Sequence, residues 1–176
     1  FFKDEDWFHL PFLLKAEKHL IPKPIINIHA RKNFRGVISW LFDPGYSLNN
    51  LKFKKVFKEI LYENWEIGLH PSYLSWNSSK EIIKERINLE NKLGIRIKNI
   101  RQHWLRFSWE KTWNAQSDAG LTKDTTLMFN DIAGFRNSSA IEFSSYYTKN
   151  NHIAKSTIIM DSHPDLKIAI DRLTEE

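Results

Sequence analysis

The chain has 176 residues and a mass of 20.9 kDa, the size of a single domain of about 100–200 residues. With 41% hydrophobic, 14% aromatic and 27% charged residues, it has material for a packed core and falls outside the disordered, collagen-like and low-complexity classes. Zero cysteines exclude a disulfide framework, a zinc–thiolate site and thiol catalysis; a net charge of +5 spread over both halves argues against nucleic acid as a partner, and no apolar run approaches the ~20 residues of a membrane span.

The first helix is expected from Glu5 to His19, on the apolar spacing of Trp7, Phe8, Phe12, Leu13 and Leu14, ended by Ile21-Pro22-Lys23-Pro24. Ile25 to His29 reads as a strand. Ala30 to Asn50 carries Gly36, Asp43, Pro44 and Gly45 and reads as a long, functional loop. From Leu51 to Glu63, Phe53, Val56, Phe57, Ile60 and Leu61 recur at helical spacing opposite a lysine-rich face. Trp65 to Leu69 is the next strand, ending at His70. Ser78-Ser79-Lys80-Glu81 is a capping box opening a helix that runs to Gly94. A strand over Ile97 to Gln102 ends at His103. Ser108 is expected to cap a helix over Trp109 to Ala119, with Gly120 as its stop. Strands follow at 125–129 and 157–161, and Pro164 opens a last helix through Leu173.

Strand and helix alternating at this spacing predict an α/β fold with parallel βαβ units, in which ligands sit at the carboxyl ends of the strands. His29, His70 and His103 each close a predicted strand, and His163 follows another by three residues. A rim of imidazoles favours a metal site or proton transfer; the alternative is that strand-end histidines only hydrogen-bond loop carbonyls. His9, His19 and His152 read as surface residues. Asp43 is either an acid that orients or ligates, or a turn-forming residue before Pro44. In Arg101-Gln102-His103-Trp104-Leu105-Arg106-Phe107, two arginines among aromatics suit a carboxylate or a stacked ring, unless Arg106 merely lies over Trp104 or Trp109. Tyr73, Trp76 and Trp104 are candidates to line a carbohydrate cleft.

Three segments, Glu66-Ile67-Gly68-Leu69-His70-Pro71-Ser72-Tyr73, Ile100-Arg101-Gln102-His103-Trp104-Leu105-Arg106-Phe107 and Ala119-Gly120-Leu121-Thr122-Lys123-Asp124-Thr125-Thr126-Leu127 leading to Gly134-Phe135-Arg136, together resemble the polysaccharide deacetylase family, of NodB-homology type. Asp43-Pro44-Gly45-Tyr46 also fits, and the resemblance spans roughly residues 7 to 165. It implies a distorted (β/α) barrel that hydrolyses N-acetyl or O-acetyl groups with a divalent metal, zinc first, held by one Asp and two His. By resemblance, His70 falls on the first histidine of the histidine motif and is the implied metal ligand. Arg101 falls on the arginine motif that steadies the catalytic Asp; with it, His103 and Arg136 are taken as the candidate catalytic residues. The family's second histidine comes four residues after the first, where this chain has Leu74.

The expectations are a single domain over 1–176, beginning at Phe1 without a signal-peptide pattern and read as a fragment lacking the first strand and its aspartates. The barrel is then incomplete, with an open sheet edge prone to self-association. The partner is an acetylated glycan, with neither nucleic acid nor membrane, and the location cytoplasmic rather than secreted. The alternative to an enzyme is a carbohydrate-binding domain of the same fold, inactive and without metal. His70, His103, Arg101 and Arg136 should face one cavity, with His29, Asp43, Asp161 and His163 as further contributors; otherwise Arg101 and Arg136 pair with Asp124 or Asp131. With Leu74 in the motif, only weak zinc retention is expected.

Overall fold

In the computed structural model of the chain, residues 10–19, 25–30, 43, 47–129, 136, 142–145 and 153–154 are described. Helix α1 (Leu10–Glu17) buries Leu14 against α2 (Leu51–Tyr62), with strand β1 (Ile25–His29) between them in the chain. On α2 the apolar stripe Phe53, Val56, Phe57 and Ile60 is buried, and Asn50 Oδ1 accepts from Lys52 N at 2.9 Å to satisfy an orphan amide at its start. Asn64, at φ 58°, turns the chain out of α2, a left-handed position that asparagine tolerates.

Strand β2 (Glu66–His70) leads into α3 (Ser79–Leu93). At the start of α3 Ser78 Oγ accepts from Glu81 N at 3.4 Å, the Ser78 half of the expected capping box, while the Ser78 amide donates to Ser75 O at 3.0 Å; at its end Gly94 stops the helix as expected, at φ 70° with its amide on Glu90 O at 2.8 Å. Strand β3 is short (Asn99–Ile100), although Arg101 N still reaches Leu69 O at 3.0 Å. After a 3-10 turn over His103–Leu105 comes α4 (Thr112–Asp118), stopped by Gly120 at φ 72°.

Two expectations are corrected here. Ser108 does not cap α4: Lys111 holds that position without a side-chain bond. Ser108 instead accepts the Thr112 amide on its carbonyl (3.0 Å) and donates its own amide to Thr112 Oγ1 (2.9 Å). The strand expected at 125–129 forms earlier, as β4 (Lys123–Asp124). Thr125 N still bonds Ile100 O at 2.9 Å, but beyond it Thr126 N donates to Asp124 Oδ1 at 3.2 Å and Met128 N to Thr126 O at 2.9 Å, so from Thr126 on local bonds replace the ladder despite the β-favouring residues. Strands β5 (Phe143–Ser144) and β6 (Ile153–Ala154) were not anticipated. The expected strand at 157–161 and the helix from Pro164 lie outside the described residues.

The described strands form one sheet in the order β1-β2-β3-β4-β6-β5. All neighbouring pairs are parallel except β5 with β6, which bears out the α/β class. Register aligns Asn27 with Gly68, Asn99 and Lys123, and His29 with His70. Because side chains alternate along a strand, Asn27, His29, Glu66, Gly68, His70, Asn99 and Lys123 share one polar face. Ile28, Ile67, Leu69 and Ile100 occupy the other, buried with Ile60, Ile82, Leu89 and Ile97 in the main core. Each such full burial is worth about 1.5–3 kcal/mol. On the polar face Asn99 Nδ2 donates to Glu66 Oε2 at 2.8 Å and Lys123 lies 3.8 Å from Glu66 and 3.5 Å from Glu142. Among the described residues no helix is long and apolar enough to cross a membrane.

Candidate metal centre and its aromatic rim

Parallel strands of similar register bring their last residues to one edge, and His29 and His70 are hydrogen-bond register partners at the ends of β1 and β2. His103 enters from the turn after β3. The three rings form one cluster, with centroids 6.5 Å apart for His29 and His70, 5.9 Å for His29 and His103, and 4.8 Å for His70 and His103. Asp43, buried and between β1 and α2 in the chain, completes it: His103 Nδ1 lies 3.5 Å from Asp43 Oδ1, which also accepts from Tyr73 N at 2.8 Å; the rest of the loop expected over Ala30 to Asn50, apart from Ala30 and 47–50, lies outside the described residues.

One ligand atom each from His29, Asp43 and His103 lies within 4.8 Å of the others, a set that could hold a metal ion. Its chemistry suits one. His29 Nδ1 is 3.0 Å from the His70 carbonyl oxygen, which can only accept, so Nδ1 carries the hydrogen and Nε2 the lone pair. Metal-binding histidines are commonly fixed in this way. His70 stands beside the set. Burial, followed by the neighbouring His103 and His29, pushes its pKa down to about 4, so its imidazole is neutral at pH 7.

The His103–Leu105 turn is strained. Trp104 and Leu105 occupy the left-handed region at φ 53° and 51°, which costs non-glycine residues about 1–2 kcal/mol each. Leu105 is buried while Trp104 is 64% exposed; Leu105 N bonds Gln102 O at 3.1 Å, and Arg136 Nη1 donates to Leu105 O at 3.2 Å. The turn thereby holds His103 at the centre and leaves Trp104 as a platform, its ring within 13° of parallel to that of His103. Tyr73 meets Trp104 edge-on at 6.2 Å. Arg106 lies over Tyr73 at 4.2 Å and Trp76 at 5.1 Å, not over Trp104 or Trp109 as the alternative sequence reading had it.

Arg101 lies below this rim. Its Nε is 3.1 Å from Thr125 O and 3.3 Å from Thr125 Oγ1; burial lowers its pKa, opposed by the charge of Asp124. Asp124 is fully buried and accepts from Trp113 Nε1 at 3.0 Å, Gln116 Nε2 at 3.2 Å and Thr126. Of the sequence-predicted site, His70, His103, Tyr73 and Trp104 converge with His29 and Asp43, and Trp76 joins them through Arg106. Arg136 is exposed and supports the turn from behind. Asp131, Asp161 and His163 lie outside the described residues.

Sequence reasoning missed Glu85. It accepts from Ser72 N at 2.7 Å and Ser75 Oγ at 2.8 Å, tethering the loop that carries Tyr73 to α3. Its signal was an acid three residues from Ile82 and four from Leu89, both buried, on what is otherwise an apolar stripe.

Neither a family model nor a curated protein matches the chain. Among solved structures, the chain is similar to a protein from Mycobacterium smegmatis provisionally assigned as a polysaccharide deacetylase. The identity is 16% and the TM-score 0.47, over 60% of this chain and 36% of that one. The chain thus spans well under half the length of that protein.

Proposed function

We propose that the domain is a metal-dependent hydrolase of polysaccharide-deacetylase type, removing N- or O-acetyl groups from an amino sugar or polysaccharide. The observation that carries this reading is the His29, Asp43 and His103 set, within 4.8 Å at the carboxyl edge of a parallel sheet; three protein ligands with room for water is the usual make-up of a catalytic metal site. When bound, a divalent ion, zinc first, supplies Lewis acidity toward an acetyl carbonyl and toward water. His29, through its fixed tautomer, and His103, beside the Asp43 carboxylate, are the nitrogen donors. His70, neutral at pH 7, would take the proton released by water as it adds to the acetyl carbonyl. Arg101 positions the end of β3 beneath His103, and Tyr73, Trp76 and Trp104 offer faces on which a sugar ring stacks.

The test is acetate release from N-acetylglucosamine oligomers and from an O-acetyl ester, with zinc or cobalt added and then removed by chelator. Metal-dependent release lost in His103→Ala and Asp43→Asn is expected. An absence of both release and metal binding would refute the reading.

One observation favours a second reading. Leu74 stands where the resembled motif has its second histidine, and it is 74% exposed, so this position supplies apolar surface instead of a ligand. A carbohydrate-binding domain without hydrolysis would bind the same oligomers and release no acetate.

A further inference from the structure

We propose that Arg106 forms a subsite for an anionic substituent of the substrate, a carboxylate or phosphate, immediately beside the metal centre. The inference rests on the carbohydrate reading above and adds to it a charge requirement.

Arg106 is half-buried, with its guanidinium carbon 4.2 Å from the centre of the Tyr73 ring and 5.1 Å from that of Trp76. Its Nη1 donates to Tyr73 O at 3.0 Å. Among the described residues this is the one hydrogen bond of its side chain, which has no ion pair; its backbone amide donates to His103 O at 3.2 Å. A guanidinium has five N–H donors in a rigid fork, so four remain available. The two rings and the Tyr73 carbonyl hold the group in place, so binding an oxyanion sacrifices little of the side-chain freedom that usually weakens a surface contact. Partial removal from water strengthens a charge-assisted bond to an incoming acceptor.

The location ties this donor to the site. Tyr73, on which Arg106 lies, gives its amide to Asp43 Oδ1, and its ring is 6.3 Å from His103 and 6.2 Å from Trp104. A sugar ring on Trp104 or Tyr73 therefore places its substituents, or those of the adjacent residue, within reach of the Arg106 fork. A neutral glycan leaves that fork unpaired, whereas a uronic acid or a phosphorylated sugar fills it.

Two measurements on the full 176-residue chain test this. In the first, the Arg106 side-chain Nε–H resonance is followed while sodium glucuronate or inorganic phosphate is added, with glucose as the neutral control. Saturable shifts with both anions and none with glucose are expected, and an unmoved resonance would overturn the proposal. In the second, a tetrasaccharide alternating N-acetylglucosamine and glucuronate is compared with N-acetylglucosamine tetramer by calorimetry. The acidic sugar is expected to bind about tenfold tighter, the scale of one charged hydrogen-bonded contact. Arg106→Gln should erase that preference, lowering the affinity for the acidic sugar by more than that for the neutral one, and Arg106→Lys should keep part of it. Equal affinities in the parent chain, or equal loss of both in Arg106→Gln, would show that Arg106 only supports Tyr73. If the anions shift Arg106 but neither tetrasaccharide binds, the carbohydrate reading fails and the anion subsite stands.

Discussion

His29 Nδ1 donates to the backbone carbonyl of His70 at 3.0 Å, linking the last residues of two adjacent parallel strands. The bond comes from the His70 main chain, so it survives any change of the His70 side chain. Two roles can therefore be separated. His29→Ala, Asp43→Ala and His103→Ala should each weaken zinc binding by more than the roughly 10–100-fold typical of outer-shell changes. His70→Ala should keep zinc affinity within that range yet lose hydrolysis. Competition against a fluorescent zinc chelator and acetate release read the two effects. A His70→Ala chain that cannot hold zinc would make His70 a ligand, as the sequence reading had it.

The depressed His70 pKa has a consequence for stability in the metal-free chain. Its folded value is about 4 against an ordinary 6.5, so between these limits the unfolded chain binds more protons. Stability is full above pH 6.5 and falls as pH drops toward 4, with a loss of order 3 kcal/mol at one pKa unit per 1.36 kcal/mol. Urea unfolding at pH 7.5 and pH 4.5, with chelator present, should show this decline, and His70→Ala should flatten most of it. An unchanged slope in that variant would assign the decline to other groups.

Asp124 provides a third expectation. Its buried carboxylate receives Trp113 Nε1, Gln116 Nε2 and Thr126, and burial raises its pKa against those bonds. Asp124→Asn turns one acceptor oxygen into a donor facing donors and removes the negative charge that favours Arg101. A loss of about 2–4 kcal/mol is expected, with a shifted Trp113 emission. Stability within about 1 kcal/mol of the parent would show that these bonds contribute little net energy.

What the sequence made legible was local. Ser78 and Gly94 mark both ends of α3 because capping chemistry needs only neighbours, and Ile25 to His29 and Trp65 to His70 read as strands whose final histidines meet once the sheet is parallel. Thr125 to Phe129 misled because β propensity says nothing of the Asp124 side chain that captures the Thr126 amide. The composition of the candidate metal set was only half legible. His29, Asp43 and His103 were each singled out, but their convergence depends on register and on a tautomer fixed by the His70 carbonyl. Glu85 and Arg106 act across 13 and 33 residues of chain, a reach that no local pattern encodes.

Gly68 lies one layer beneath the rim, between Asn27 on β1 and Asn99 on β3. A Cβ there would run into Asn27 Oδ1 and stand 3.2 Å from Asn99 Cβ. The Asn27 amide can rotate away, but Asn99 Cβ is fixed by its strand, so relief must come in part from the backbone that sets the His29–His70 register. Gly68→Ala should therefore cost about 1–3 kcal/mol, the range for overpacking, and weaken zinc binding as well, because His29 and His70 move with their strands. Asn27→Ala combined with Gly68→Ala removes the worse of the two collisions and should recover at least half of both losses. Chemical denaturation and zinc competition on the single and double variants measure the coupling. A double variant no better than Gly68→Ala would place the constraint at Asn99 alone, and a single variant as stable as the parent would show that the layer has room to yield.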